Sequence, residues 1–134
     1  MRSIRQKGFT IIELLLAVVI ISTGLVGIMS LFDNATRGAM QLDLNVIAAN
    51  LAHEKLEEIV LDKVTNGYAT LSDASYSFEN PVTDFNAYTR NVTITEVDPQ
   101  DLSTTQAGSG YKRVDVTVSW GNGFVMIPTV LSNY

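Results

Sequence analysis

The sequence predicts an α+β fold, with one long N-terminal helix packed on a small antiparallel β-sheet. Three observations carry this. Apolar residues over 9–62 occur first all round and then at steps of three and four, the period of a helix. Residues 88–97 and 111–120 alternate apolar with polar side chains, the period of half-buried strands. Asn122-Gly123 then precedes a third apolar run over 124–131, as a hairpin turn does. A sheet with one apolar face needs a cover and a helix with one apolar stripe needs a floor, so each satisfies the other.

The helix starts in the most apolar part of the chain. Of 134 residues, 46% are hydrophobic and 17% charged, yet residues 9–32 carry one charge, Glu13. At about 1.5 Å per residue this stretch spans roughly 36 Å, enough to cross a hydrocarbon core of about 30 Å. The preceding residues 1–8 hold Arg2, Arg5 and Lys7 and no acid. A basic flank stays cytoplasmic, so the helix is expected to enter with its N-terminus inside and to deliver the rest to the far side. The apolar run is too long for a cleaved secretory signal, and no A-x-A-like site follows it. The small-residue junction, Gly8-Phe9, lies before the run, so a cut there keeps the helix.

Over residues 33–61 the helix becomes amphipathic. Ala35, Ala39, Leu42, Val46, Ala49, Ala52, Leu56 and Ile59 form the expected buried stripe. No proline interrupts 9–80, and Asn66-Gly67 closes the region with a turn signal. Gly24 and Gly27 lie within the membrane half, where each costs about 1 kcal/mol relative to Ala. They suit either close helix packing through small residues or a place where the helix bends.

In the first strand Tyr88, Val92 and Ile94 are expected on the inner face, with Thr89, Thr93 and Thr95 outside. In the second, Val114, Val116, Val118 and Trp120 face in, and Arg113, Asp115, Thr117 and Ser119 face out. A turn at Asn122-Gly123 would set Trp120 opposite Val125 and Val118 opposite Ile127. Pro128 cannot donate to a ladder, which places the last strand at an edge or a bulge. A short strand is expected near Tyr76-Ser77-Phe78, and residues 98–109 read as a loop.

The strongest local signal is Lys7-Gly8-Phe9-Thr10-Ile11-Ile12-Glu13 opening the apolar run. It resembles the leader of type IV prepilins and type II secretion pseudopilins: a short basic leader, Gly, then Phe-Thr-x-x-Glu. The resemblance implies a type IV pilin-like fold. It also implies cleavage between Gly8 and Phe9 by a prepilin peptidase, with methylation of the new Phe9 amine. Glu13 fits that chemistry on physical grounds. A carboxylate in a membrane-length helix costs about 2.5–3.5 kcal/mol on insertion scales, so it calls for a partner. The Phe9 amine created by cleavage would lie four residues away, on the same face of a continuous helix. The pair could form within one chain or between staggered neighbours, and the resemblance implies the latter. Thr10 could support the pair with its hydroxyl, or bond its own backbone.

The residue inventory argues against an enzyme. There is one histidine, His53, no cysteine, and neither a nucleophile elbow nor a phosphate loop. Without cysteine there is no disulfide framework or thiolate metal site. No cofactor and no metal are expected. Glu54, Glu57 and Glu58 read as a solvated helix face rather than a metal site, and calcium between Asp98 and Asp101 has no matching ligand array. Beyond residue 8, six basic residues face fourteen acidic ones, which argues against nucleic acid as a partner.

Three segments are therefore expected: a cleaved leader, 1–8; a membrane-spanning and assembly half of the helix, 9–32; and the amphipathic half with the sheet, 33–134. Residues 48–59 and 111–120 resemble the minor pilin V and minor pseudopilin I group. The short soluble part and the absence of a C-terminal cysteine pair lean the same way. The resemblance implies a minor subunit in a tip or priming complex of a pilus or pseudopilus, with a major pilin of the filament shaft as the alternative. It implies an inner-membrane location with the C-terminal part periplasmic. The partners would be the peptidase, other pilin or pseudopilin subunits, the membrane assembly platform and membrane lipid.

Overall fold

The structure, a computed structural model, describes residues 8–134, so the basic leader side chains Arg2, Arg5 and Lys7 lie outside the described residues. One helix, α1 (Ile11–Asn66), is followed by two single 3-10 turns, Tyr68–Thr70 and Asp73–Ser75. Three strands complete the chain: β1 (Tyr88–Glu96), β2 (Tyr111–Trp120) and β3 (Gly123–Ser132). The chain forms two compact units, Met1–Gln41 and Leu42–Tyr134.

In the second unit the sheet is antiparallel in the order β1-β2-β3. Ala48, Leu51, Ala52, Leu56 and Ile59 of α1 share one buried cluster with Tyr88, Val92, Val114, Val116, Val118 and Trp120 of the sheet. The α+β architecture of helix on antiparallel sheet is thus the one expected, as are the inward residues of β2. Pro128 lies on β3, which is an edge strand.

Three expectations are corrected. The first concerns the buried face of α1. Leu42 and Val46 are 65% and 59% exposed, Ala35 and Ala39 are exposed, and Ala49 is only partly buried. Leu44, Ile47, Ala48 and Leu51 join Ala52, Leu56 and Ile59 in the core cluster with the sheet instead, and Lys55 is buried. Counting back from Ile59 to Leu42, the expected stripe steps by about 3.4 residues. An α-helix turns every 3.6, so that stripe rotates away by about 20° per step. The chain carries apolar residues on both sides of this part of the helix, and periodicity alone does not choose between them.

The second correction is the hairpin register. Trp120 pairs with Gly123, Val118 with Val125 and Val116 with Ile127. The turn residues are Gly121-Asn122, one step earlier than expected, and Gly121 takes the positive φ of 41° that a glycine-first hairpin turn uses. Facing pairs move by two residues, so inside and outside are preserved. The Trp120 ring explains the choice. A Cβ built on Gly123 would lie 2.7 Å from Trp120 Cζ2 and 2.8 Å from Cε2, so only glycine lets the indole lie across the facing strand. Gly123→Ala is expected to displace the indole and to destabilise the sheet by about 1–3 kcal/mol. A red-shifted tryptophan emission with an earlier urea midpoint checks this, and an unchanged emission maximum would refute it.

The third correction concerns Tyr76-Ser77-Phe78, which forms no strand. Tyr76 instead packs in the core and donates its hydroxyl to Asp62 Oδ2 at 2.9 Å. Pairing begins one residue later, where Glu79 and Arg90 form an isolated antiparallel bridge.

Candidate functional site

In the first unit the motif residues occupy the start of α1. Gly8, Phe9 and Thr10 are exposed and outside the helix, whose first residue is Ile11. Thr10 is where the helix is closed off. Its carbonyl accepts the amides of Glu13 and Leu14, each at 3.1 Å, and its Oγ1 also accepts the Glu13 amide at 3.4 Å. Thr10 is thus the N-cap rather than a helix-interior residue, and Glu13 is the third helical residue. Glu13 is the acid in the first turn of the helix, where the unsatisfied N–H groups of a helix favour negative charge.

From Ile11 onward this unit is apolar and almost wholly exposed: Leu14, Leu15, Leu16, Val18, Ile20 and Ile21 are all more than half exposed. The helix is long and apolar enough to cross a membrane, with a mean hydropathy of 2.6 over 18 residues. Its polar side chains turn back on the helix. Ser22 and Thr23 donate to the Val19 carbonyl at 2.9 and 3.0 Å, and Ser30 donates to Val26 at 3.0 Å. Such bonds leave no unsatisfied hydroxyl in an apolar surround.

In the second unit the charged residues form a buried lock. Arg90 is only 5% exposed. Its Nε and Nη2 donate to the two oxygens of Glu79 at 3.2 and 2.7 Å, and Nη1 donates to the Leu51 carbonyl at 2.7 Å. Lys55 Nζ reaches Glu79 at 3.0 Å and Glu58 at 2.5 Å. Burial alone would raise the Glu79 carboxyl, but hydrogen bonds from Arg90 and Lys55, with their charge, hold it below the usual carboxylate range. Burial would lower the Lys55 amine, and Glu58 and Glu79 outweigh that to raise it. Glu54 lies 3.7 Å from Arg90, so Glu54 and Glu58 serve this lock. Sequence reasoning passed over Arg90, although its parity in β1, between Tyr88 and Val92, already places it on the inner face.

The remaining candidates are occupied locally. Asp101 accepts the Ser103 amide and the hydroxyls of Ser103 and Thr104 at 3.1, 2.5 and 2.5 Å, which hold its carboxyl low. Asp98 accepts the Gln100 amide at 2.7 Å. His53 is exposed on the rim of a shallow groove with Leu56, Val60, Val64 and Ile127. Among the described residues no three His, Asp or Glu side chains converge as a metal site would require.

The sequence matches the family model described as the prokaryotic N-terminal methylation motif over residues 4–29. No curated protein and no solved structure matches the chain. The motif supports a type IV prepilin-like family, whose members are structural subunits rather than enzymes. Together with the apolar helix and the α+β fold, it supports a pilin- or pseudopilin-type subunit anchored in a membrane. It implies processing by a prepilin peptidase and assembly with other such subunits.

Proposed function

We propose that the chain is a minor pilin or pseudopilin subunit, cut between Gly8 and Phe9, methylated on the Phe9 amine and built into a tip or priming complex. One observation carries the reading. The Gly8-Phe9-Thr10-x-x-Glu13 motif stands directly before an apolar helical segment that nothing covers among the described residues of the first unit. Such a surface needs lipid before assembly and neighbouring helices after it. On this reading residues 1–8 are the leader, 9–32 the membrane and assembly segment, and 33–134 the periplasmic part. The inner-membrane assembly platform and the other subunits are the partners. Glu13 is the carboxylate that meets a neighbour's Phe9 amine during docking.

The minor role rests on the likeness of residues 48–59 and 111–120 to the minor pilin V and minor pseudopilin I group. A major shaft subunit is the second reading, and abundance separates the two. A minor subunit is a trace component of purified filaments, while a shaft subunit is the bulk of them. Processing is tested by mass spectrometry of the membrane-extracted protein from cells that contain the peptidase. The expected mass begins at Phe9 with one added methyl, and a bulky residue in place of Gly8 should block the cut. A chain that still begins at Met1 would refute the proposal.

A further inference from the structure

We propose that the open edge of β3 docks an extended, basic segment of another protein, which joins the sheet as a fourth strand. The two edges of the sheet are finished differently. On β1, Arg90 exchanges two backbone hydrogen bonds with Glu79, each at 3.0 Å, and the Tyr88 carbonyl takes the Val82 amide at 2.9 Å. The Asp73 carboxylate takes the Ile94 amide. Among the described residues no such bond reaches the outer edge of β3. The phase of that edge follows from the hairpin. Trp120 faces Gly123 across the turn, and the Asn133 amide donates to the Gly110 carbonyl at 2.9 Å. The odd-numbered residues of β3 therefore bond β2, and the even-numbered ones turn their backbone groups outward. Phe124, Met126 and Val130 present open amides along this 10-residue strand, and Pro128 has its missing donor on the same side. A long edge left bare is a template for another strand.

Two grooves flank this edge and meet at Pro128 and Thr129. One, of about 580 Å³, lies on the helix side against Val60, Val64 and Ile127. The other, of about 710 Å³, lies on the outer face of the sheet against Leu102, Arg113 and Val130. An added strand sends its side chains alternately to the two faces. Each groove would therefore receive every second side chain, which is how strand addition gains specificity on top of its backbone bonds. The helix-side groove suits apolar side chains, and the outer one, with Ser103 in its lining, suits small polar ones. Charge selects the kind of partner. A carboxylate lines each groove, Glu57 on the helix side and Asp101 on the outer side, while the Arg113 guanidinium is already held by Asp115 at 2.9 Å. Across residues 42–134 twelve acids face five bases. A second copy would bring like charge to the edge, and a basic segment brings the complement.

The test uses the full chain in lipid bicelles, with the synthetic peptide Lys-Val-Thr-Val-Thr-Val-Lys as the probe and amide exchange as the readout. In the free chain the amides of Phe124, Met126 and Val130 should exchange freely. Peptide at about ten times its Kd should slow all three by about tenfold. Glutamate in place of both lysines should weaken binding by about tenfold at low salt. Met126→Pro deletes an edge donor that the fold itself does not use, and should weaken binding by about tenfold, the upper end for one lost hydrogen bond. The same peptide N-methylated throughout should give no protection, which tests the pairing without altering the protein. No slowing at millimolar peptide would overturn the proposal, and so would equal protection by the N-methylated peptide. Equal binding of the glutamate peptide would overturn the basic partner. Protection in the free chain that grows with protein concentration would overturn it in favour of a second copy.

Discussion

Glu79→Gln is expected to destabilise the second unit by about 2–3 kcal/mol, somewhat below the cost of about 3–5 kcal/mol for removing one partner from a fully buried ion pair, because Glu54 and Glu58 remain beside the two cations. Glu79 is the one anion shared by Arg90 and Lys55, whose side chains are 5% and 11% exposed. Its loss leaves Lys55 with Glu58 alone, and Arg90 with the exposed Glu54 at 3.7 Å and the uncharged Leu51 carbonyl. A domain of this size has about 5–15 kcal/mol of net stability, so the variant should unfold at a much lower urea concentration. The measurement is urea unfolding of a chain starting at Asp33, which lacks the membrane-length segment. A loss under about 1 kcal/mol would show that solvent already screens the cluster, as it does exposed pairs.

The same lock sets a pH window. Glu79 titrates lower when folded, so its contribution is complete above the ordinary carboxylate pKa of about 4.3 and is lost as pH falls through the lowered folded value. Lys55 titrates higher when folded, so its contribution is complete below the ordinary lysine value of about 10.4 and is lost as pH rises through the raised one. The acid side of the stability curve should therefore flatten in Glu79→Gln, because the group that titrates there is gone.

Glu13→Leu is expected to abolish assembly while leaving insertion and cleavage intact. Removing the carboxylate makes the lone helix more compatible with lipid, by less than the roughly 2.5–3.5 kcal/mol that insertion scales give for a charge at a helix centre, because Glu13 lies in the first turn. A neighbour's Phe9 amine would then be buried without a counter-charge, at a cost of about 3–5 kcal/mol. Every such contact in an assembly would carry that cost. Glu13→Gln sharpens the test, since it keeps the size and polarity of the side chain and removes only its charge. It should retain the helix start and still fail to assemble, which assigns the defect to charge. Cysteine crosslinking between neighbouring helices reads the outcome, and crosslinking at the parent level in Glu13→Leu would reject the pairing role.

The fold class was legible because each element declares itself locally. The long apolar-then-amphipathic run marked α1, and strict alternation marked β1 and β2. Asn122-Gly123 marked a hairpin between β2 and β3, one residue away from its actual turn. The Gly8 to Glu13 motif was legible for the same reason, as residue types at short fixed spacing. Tyr76 misled because its aromatic neighbourhood reads as a strand, whereas its hydroxyl is satisfied by Asp62, 14 residues earlier on α1.

What the sequence determined by itself is therefore what depends on nearest neighbours: the types of the long helix and the three strands, the inward face of β2 and the position of the membrane-length helix. Tertiary structure decided the rest. It chose which of two apolar sides of α1 meets the sheet, and it set the hairpin register through the fit of the Trp120 ring over Gly123. It brought Lys55, Glu79 and Arg90 together from three separate parts of the chain. These choices turn on packing volume and on partners for buried charge, which depend on residues far apart in the chain. Charged residues such as Lys55 and Arg90 are expected at the surface unless they are paired, and only the folded chain shows the pair.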